Sequence, residues 1–248
     1  MTQPQPLAGR TAIVTGGGTG IGAAIARTLA EAGARVAISG RREEPLREVA
    51  DSVGGVAPPI LIHKCDVADR ESVTAFFDWA RGELGHVDIL VNSAGINIPN
   101  RSLDAITPED WDRVLQINAT GAFNCIYQVL PEMRQRRDGV IINVCSVAGI
   151  RTGLLGGVAY NASKFAMDAL ARSVGEEERD NGIRVTSIYP GEVETPILDD
   201  RAVPVSDEHR SRILQPEDLA AAVLMVASLP PRARVPELVM IPTSQSFT

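Results

Sequence analysis

The 248-residue chain contains few cysteines and no long apolar run. The three cysteines, Cys65, Cys125 and Cys145, are an odd set without the spacing of metal ligands. Cys65 and Cys145 lie in or beside strand-like runs, where a small buried hydrophobic residue is expected. No apolar run approaches the ~18–20 residues of a membrane helix. The first ten residues lack a charged segment followed by an apolar stretch, so we expect no signal peptide, no membrane association and a cytoplasmic location.

The chain also lacks an excess of basic residues. It has 24 Lys and Arg against 31 Asp and Glu, a net charge of −7. Nucleic acids and anionic membranes are bound by clustered positive charge. The composition therefore predicts neither partner, and it favours a small-molecule substrate.

Short apolar runs rich in Val and Ile occur seven times along the chain. They lie at 10–16, 34–40, 58–66, 86–92, 138–146, 183–191 and 236–242. Their hydrophobicity is continuous, which is typical of parallel strands buried on both faces. Amphipathic stretches such as 22–32, 70–84 and 217–228 lie between them. This alternation predicts an α/β fold, a doubly wound and mainly parallel seven-stranded sheet with helices on both faces. No linker or repeat divides the chain, so we expect a single domain over 1–248.

One predicted helix, at 117–137, is apolar on more than one stripe. Its apolar positions are Ala122, Phe123, Ile126, Val129, Leu130 and Met133. Such a helix packs against its own sheet and against either a second subunit or a covering loop. The sequence leaves these two alternatives open.

A glycine-rich stretch, TGGGTGIG at 15–22, joins the first predicted strand to the first helix. Gly16 would allow a tight turn, Gly20 a close approach of the backbone to a pyrophosphate, and Gly22 close packing of the helix. Backbone N–H groups at a helix N-terminus attract anions. The order strand, glycines, helix predicts a dinucleotide site.

The second predicted strand ends in SGRREE instead of an acidic residue. An Asp or Glu at this point binds the ribose 2′-hydroxyl of NAD. Here Ser39 and Gly40 are followed by Arg41 and Arg42, and guanidinium groups suit a 2′-phosphate. We therefore favour NADP(H), with NAD(H) as the alternative in which both arginines are solvated surface charge.

Several short motifs follow the predicted strands in chain order. They are DV at 66–67, NSAG at 92–95, Asn118 in QINATG, Ser146, YNASK at 160–164 and PGEVET at 190–195. Together with the glycine-rich stretch they resemble the short-chain dehydrogenase/reductase family over about residues 15–195. The resemblance implies a Rossmann-type fold with a cofactor half at about 8–145 and a catalytic half at about 146–248. It also implies a homotetramer or homodimer and no metal.

The resemblance also assigns roles to individual residues. Tyr160 would exchange a proton with the substrate oxygen, and Ser146 would orient the carbonyl. Lys164 would hold the nicotinamide ribose and stabilise the phenolate, and Asn118 would anchor a water that links Lys164 to solvent. The implied cofactor-binding residues are Thr15, Gly16, Thr19, Gly20, Ile21, Gly22, Arg41, Arg42, Asp66, Val67, Asn92, Ala94, Gly95, Tyr160, Lys164, Pro190, Gly191, Val193 and Thr195.

The i, i+4 spacing of Tyr160 and Lys164 supports their assigned roles independently of the resemblance. On a helix such residues are about 5–6 Å apart at Cβ. An ammonium about 4 Å from a phenolate contributes ~4 kcal/mol at an effective dielectric constant near 20. The pair is thus suited to proton transfer near neutral pH.

The substrate wall is expected from 96–101, 147–157 and the segment after Gly191. These stretches offer a mostly apolar set, namely Ile96, Ile98, Val147, Ile150, Leu154, Leu155 and Ile197. The expected function is hydride transfer between NADPH and a small-to-medium ketone, 3-oxoacyl compound or hydroxy acid. Alternatives are an NAD-dependent alcohol dehydrogenase and a non-catalytic dinucleotide-binding sensor. The tail, VPELVMIPTSQSFT, differs from the VDGG-like ending of many family members and is more similar to a subgroup acting on small hydroxy acids and ketones.

Overall fold

The apolar runs form one parallel sheet in the computed structural model, which describes residues 5–54, 58–199, 201 and 204–246. The strands in these residues are β1 (Thr11–Thr15), β2 (Arg35–Gly40), β3 (Leu61–Lys64), β4 (Ile89–Asn92), β5 (Gly139–Val144), β6 (Ile183–Pro190) and β7 (Glu237–Met240). Their order is β3-β2-β1-β4-β5-β6-β7, and every neighbouring pair is parallel. The predicted fold class is confirmed, and each predicted strand contains an observed one.

Helices cover both faces of the sheet. They are α1 (Gly20–Glu31), α2 (Glu43–Ser52), α3 (Arg70–Leu84), α4 (Pro108–Leu115), α5 (Gly121–Arg136), α6 (Val158–Glu177), α7 (Asp207–Arg210) and α8 (Pro216–Ser228). The three helices predicted above match α1, α3 and α8 to within two residues at each end. A π-helical turn, Gln116–Thr120, joins α4 to α5.

Consecutive strand residues point to opposite faces, and both faces are covered. Val14 packs in the core formed with α1, α2 and α8, whereas its neighbour Ile13 packs in the core formed with α3, α5 and α6. In β4, likewise, Val91 packs in the first of these cores and Leu90 in the second. Continuous hydrophobicity along a strand therefore reflects burial on both sides.

Local chemistry sets the ends of several helices. The Asp69 side chain accepts a hydrogen bond from Glu71 N at the start of α3, and Gly85 ends that helix with a φ of 85°. At α8, Gln215 and Asp218 form a capping box around Pro216. These caps satisfy backbone groups that helix ends leave without partners.

The chain order reverses between β1 and β4, which lie side by side. Thr15 and Asn92, at their carboxyl ends, are in register. Open α/β sheets bind ligands in the crevice at such a point. No helix in the described part of the chain is long and apolar enough to cross a membrane.

Candidate functional site

The glycine-rich loop after β1 packs too tightly for side chains at several positions, including Gly16 and Gly22. Gly16 has a φ of 66°, and a Cβ there would come within 2.8 Å of the Ala94 backbone. A Cβ on Gly22 would lie 2.2 Å from the Gly16 carbonyl oxygen. The tight turn predicted at Gly16 is thus confirmed, and α1 begins beside it with its N-terminus at the cleft.

A cleft of about 350 Å³ lies at the carboxyl ends of the central strands. It brings together residues from both halves of the chain. The predicted site residues that line it are Gly16, Thr19, Gly20, Ile21, Gly22, Arg41, Arg42, Ala94, Gly95, Ser146, Tyr160, Lys164, Pro190, Gly191, Val193 and Thr195. An adjoining hollow of about 140 Å³ is lined in addition by Asp66 and Val67.

Thr15 and Asn92 are buried beneath this cleft instead of lining it. The Thr15 hydroxyl accepts hydrogen bonds from the backbone N–H groups of Ser93 and Ala94, at 3.2 and 3.3 Å. Asn92 Nδ2 donates to Asn143 Oδ1 at 2.9 Å. The structure therefore gives both side chains a supporting position under the 92–95 loop.

Asn118 is fully buried in the π-helical turn. Its Oδ1 accepts from Ile96 N at 2.8 Å, and its Nδ2 donates to Ile96 O at 2.9 Å and to Ser163 Oγ at 3.0 Å. This amide fixes the loop at Ile96 against α6. These bonds use both donors of Nδ2 but only one of the two lone pairs of Oδ1, so Oδ1 can still accept a bond from the predicted water.

Tyr160 and Lys164 lie one turn apart near the start of α6, as the spacing predicts. The Lys164 Nζ is 5.6 Å from the centre of the Tyr160 ring. Lys164 as a whole is buried, with only 4% of its surface exposed. It donates to Val144 O at 3.0 Å and lies 3.9 Å from Met167 Sδ. A buried ammonium held by uncharged acceptors places positive charge beside the phenol and the cleft.

Ser146 follows β5 in an extended conformation and faces the same cleft. Its Oγ accepts from Ala148 N at 3.1 Å, so it also caps the short 3-10 turn Val147–Gly149. The hydroxyl keeps its proton available for donation to a ligand, since its bond to Ala148 uses it as an acceptor.

The neighbouring Cys145 is not a nucleophile in this site. Its thiol donates to Lys164 O at 3.3 Å, and burial raises the pKa of Cys145 to about 11. The thiol is therefore protonated at neutral pH, and the thiolate is the reactive form. Among the described residues no cluster of His, Cys, Asp or Glu could hold a metal ion.

Arg41 and Arg42 follow the tip of β2 and line both the cleft and its adjoining hollow. Both are exposed, and β2 itself ends at Gly40 without an acidic side chain. Glu43, which could have neutralised them, is paired with Arg47 at 2.5 Å. Two guanidinium groups thus face the end of the cleft where β2 stops.

The predicted apolar wall is correct in part. Val147, Leu155 and Ile197 line a second cavity of about 280 Å³, which opens beside Ser146 and Tyr160. Ile96 instead lines the larger cleft, and Leu154, in a turn, is completely exposed.

Two further residues of the predicted wall belong to other parts of the core. Ile98 is buried against Val114 and Ala159, since α4 packs beside α6. Ile150 packs in the cluster around Tyr189. The cavity is nevertheless lined by more apolar than polar surface, as predicted, although Arg101, Arg151 and Arg201 also reach it.

The tail of the chain also contributes to this cavity. Gln245 and Ser246 line it, and Gln245 Oε1 accepts from Glu192 N at 3.2 Å. The placement depends on β7 pairing with β6, which brings Met240 O to Gly191 N at 2.7 Å. No local pattern in the tail signals that contact. Glu192, by contrast, lies within the PGEVET motif.

These residues fit a nicotinamide dinucleotide. Glycines without side-chain bulk and a helix N-terminus suit a pyrophosphate. A Cβ on Gly20 would lie 3.0 Å from Thr195 Cγ2, so the backbone must pass close to the 190–195 loop on the other wall. Arg41 and Arg42 line the cleft beside the tip of β2, and Tyr160 and Lys164 line it beside the start of α6.

Comparison with known proteins gives a consistent result. A family model described as short chain dehydrogenase matches residues 10–203. The chain is 37% identical over 245 residues to farnesol dehydrogenase of Aedes aegypti, covering 97% of this chain and 98% of the relative. It is 36% identical over 229 residues to cis-4-hydroxycyclohexanecarboxylate dehydrogenase of Sinomonas cyclohexanicum, covering 90% and 91%.

Among solved structures, the chain resembles an alcohol dehydrogenase from the archaeon Thermococcus sibiricus complexed with 5-hydroxy-NADP. The TM-score is 0.86 at 28% identity, over 96% of this chain and 98% of the other.

Proposed function

Since the chain belongs to the short-chain dehydrogenase family of NAD(P)-dependent CH–OH oxidoreductases, we propose that it is an NADPH-dependent carbonyl reductase. Its substrate is a small-to-medium ketone, 3-oxoacyl compound or hydroxy acid, interconverted with the corresponding alcohol or carbonyl compound. One observation carries the proposal: Ser146, Tyr160 and Lys164 line the same cleft as the glycine-rich loop.

The proposed chemistry divides between the cofactor and four side chains. The nicotinamide ring, when bound, supplies or accepts the hydride. Tyr160 donates a proton to the substrate oxygen during reduction and takes it back during oxidation. Ser146 donates a hydrogen bond to the same oxygen and fixes its position. Lys164 holds the ribose hydroxyls and stabilises the phenolate of Tyr160.

The other predicted residues hold the cofactor in place. Asp66 and Val67 border the adenine, and Ala94 and Gly95 lie along the adenosine and nicotinamide side. The 190–195 loop would hold the carboxamide. Thr15, Asn92 and Asn118 lie beneath these cofactor-binding residues, and their hydrogen bonds fix the 92–96 loop.

NADP(H) is favoured over NAD(H) because of the chemistry at the tip of β2. Arg41 and Arg42 offer guanidinium groups suited to a 2′-phosphate. The nearest acidic residue along the chain, Glu43, is bonded to Arg47. The related archaeal alcohol dehydrogenase was solved with an NADP derivative, which supports the same choice.

We propose further that the chain is a single domain and forms a homodimer or homotetramer. One sheet contains strands from both halves, with β5 and β6 paired, which supports the single domain. The neighbouring exposed rings of Phe123 and Tyr127 on α5 support the assembly.

The substitution Tyr160→Phe tests the proposed catalysis. It removes the phenol proton while keeping the ring, so turnover of a ketone with NADPH should fall by about 10²- to 10⁴-fold. Affinity for NADPH, measured by fluorescence titration, should change by no more than about threefold, since the cleft keeps its shape.

Tyr127→Phe is the matched control, because it removes the same hydroxyl from a tyrosine that lines neither the cleft nor the adjoining cavity. It should keep wild-type turnover. A Tyr160→Phe variant with near-wild-type turnover would contradict the proposed role. A wild-type protein that binds NADPH but reduces no carbonyl compound would favour the dinucleotide-binding sensor.

A further inference from the structure

Helix α6 carries two more charged side chains on the face that reaches the cleft. Tyr160 and Lys164 occupy two successive turns of this face. Asp168 and Arg172 continue it over the next two turns, since residues four apart lie on one side of a helix. The chemistry proposed above uses only the first two of these four residues.

Three successive turns of this face are bound to three neighbouring strands. Lys164 donates to the carbonyl of the last residue of β5, as described above. Asp168 Oδ1 accepts a hydrogen bond from the hydroxyl of Tyr189 in β6. Arg172 Nη1 lies 2.6 Å from Oε1 of Glu237, the first residue of β7. The helix that carries the reacting phenol is therefore connected to each strand on this side of the sheet.

The middle connection is the buried one. Asp168 is 7% exposed and Tyr189 is completely buried, whereas the side chain of Arg172 is 52% exposed. The second oxygen of Asp168, Oδ2, accepts from Arg172 Nε at 2.8 Å. Burial raises the pKa of Tyr189, and its bond to Asp168 raises the pKa further, so the phenol keeps the proton that it donates. Both oxygens of the buried carboxylate thus have partners, as a buried charge requires.

Stability alone does not account for a carboxylate and a phenol at this point of the core. Packed apolar side chains of similar volume are often at least as stable as buried charged groups. A hydrogen bond differs from apolar packing because it has a direction, so it fixes the relative position of the two parts that it joins. Asp168 and Tyr189 therefore define how α6 and β6 lie against each other.

Tyr189 is the second-to-last residue of β6 and directly precedes the 190–195 loop. On the other side, Gly191 N donates to Met240 O at 2.7 Å, so β7 holds the start of this loop from the edge of the sheet. The Tyr189 ring packs in a cluster with Cys145 and Met167, beneath the cleft. Neither Tyr189 nor Asp168 is among the residues that line the cleft or the adjoining cavity.

We propose that Asp168 and Tyr189 are a positioning pair, whose hydrogen bond fixes the 190–195 loop relative to Tyr160. The inference rests on the proposed function, in which that loop holds the nicotinamide end of the cofactor and Tyr160 transfers the proton. Hydride and proton must reach the carbon and the oxygen of one carbonyl group, so the two parts need a fixed separation. A displacement of about 1 Å can lower a rate by about 10²-fold.

The substitution Tyr189→Phe tests the pair, because it removes the bond and keeps the buried ring. The protein is saturated with NADPH and mixed with excess ketone, and the decay of NADPH fluorescence gives the rate of a single turnover. The ketone is whichever of cyclohexanone, ethyl 3-oxobutanoate and 4-oxopentanoate the wild type reduces fastest. The rate should fall about ten- to a hundredfold.

The affinity for NADPH should change much less. The glycine-rich loop and the arginines at the tip of β2 line the cleft away from β6, and they are untouched by Tyr189→Phe. The Kd for NADPH, from fluorescence titration, should therefore stay within about threefold of the wild-type value.

Thr186→Val is the matched control for a loss of stability alone. Thr186 lies three residues earlier in β6, is 1% exposed, and donates from Oγ1 to Val235 O at 2.6 Å. Its hydroxyl does not contact α6 among the described hydrogen bonds, and the residue lines neither the cleft nor the cavity. Both variants should unfold at a lower urea concentration than the wild type. Only Tyr189→Phe should slow the single turnover.

A double-mutant cycle assigns the effect to the bond between the two side chains. Asp168→Ala removes the same bond from the other side. In a chain that already carries Asp168→Ala, the further change Tyr189→Phe should lower the single-turnover rate by less than about threefold. A loss as large as the one in the wild-type background would show that the two residues act independently, and it would overturn the pair.

The outcomes separate this inference from the proposed function. A Tyr189→Phe rate within about threefold of the wild type, or an equal slowing in Thr186→Val, would overturn the positioning pair and leave the reductase intact. If the wild type binds NADPH but reduces none of the three ketones, the proposed function fails and the inference fails with it.

Discussion

Glu178 is a carboxylate that the fold buries beyond the end of α6. It is only 1% exposed and accepts hydrogen bonds from Arg134 Nε at 3.0 and 2.9 Å and from Asn181 Nδ2 at 2.8 Å. Its backbone carbonyl accepts from Ile183 N at the start of β6. This one residue therefore connects α5, α6 and β6.

The substitution Glu178→Gln should lower the free energy of unfolding at neutral pH by about 1–3 kcal/mol. The bonds from Arg134 lower the pKa of Glu178 below its ordinary 4.5, outweighing the effect of burial. A lowered pKa in the folded state gives stability that is fully present above pH 4.5 and is lost as the pH falls through the folded value. The difference between wild type and variant should thus shrink as the pH falls to about 3.

Urea denaturation at the two pH values measures this difference. Glu177→Gln is the control, since Glu177 directly precedes Glu178 and its side chain is 70% exposed, with Oε1 3.5 Å from Arg134 Nη2. It should change the free energy of unfolding by less than about 0.5 kcal/mol. A Glu178→Gln effect of equal size at both pH values would show that the loss is one of packing and not of charge.

Some residues of the site are predictable from sequence alone because their chemistry is local. The spacing of Tyr160 and Lys164 places them on one helical face, and Gly16 follows a strand where only glycine fits. The bonds of Asn118 to Ile96 and Ser163 are different, since they join positions 22 and 45 residues away. No spacing rule predicts such contacts.

At the scale of elements, the strands are the most predictable part of the chain. The central strands β1, β4 and β5 are buried along their whole length because both faces of the sheet are covered, whereas the edge strands β3 and β7 are only partly buried. The π-helical turn between α4 and α5 is not predictable in this way. Its i→i+5 bonding differs from an α-helix by a single residue of register, and QINAT contains no proline or glycine to mark it.

Helix α5 has one apolar face in the core and part of another open to solvent. Ile126, Val129 and Met133 are buried, whereas Phe123 is 42% and Tyr127 66% exposed. The centres of the two exposed rings lie 6.0 Å apart. Within the described residues no loop covers them, so of the two alternatives left open by the sequence we favour burial against a second copy of the chain.

Sedimentation of the wild-type protein should therefore give a dimer or tetramer at micromolar concentration. Phe123→Glu should shift the equilibrium towards smaller species, because a charge at a buried contact is costly. Leu103→Glu changes an equally apolar but separate and 79% exposed residue, and it should leave assembly unchanged. A monomeric wild type would overturn the proposed assembly.

At the scale of the whole molecule, topology explains why residues far apart in sequence share one cleft. The carboxyl ends of β1, β4, β5 and β6 meet at one edge of the sheet, so the motifs that follow them converge. The sequence predicts this convergence once the strands are assigned. The sequence also predicts three of the segments that line the adjoining cavity. It does not predict the positions of Gln245 and Ser246 in that wall, which depend on the pairing of β7 with β6.

The net charge of the whole chain does not indicate the charge around its cavities. A chain of net charge −7 places Arg41 and Arg42 at one end of the cofactor cleft and Arg101 and Arg151 in the adjoining cavity. Neither placement can be inferred from composition. Their effect is local because screening confines it to about 8–10 Å in physiological salt.

Fluorescence titration of the wild-type protein with NADPH and, separately, with NADH tests the proposed cofactor most directly. Charge-assisted bonds from Arg41 and Arg42 to the 2′-phosphate should make NADPH bind about ten- to a hundredfold more tightly than NADH. Equal affinities, or tighter binding of NADH, would contradict the proposed NADPH dependence and identify both arginines as surface charge.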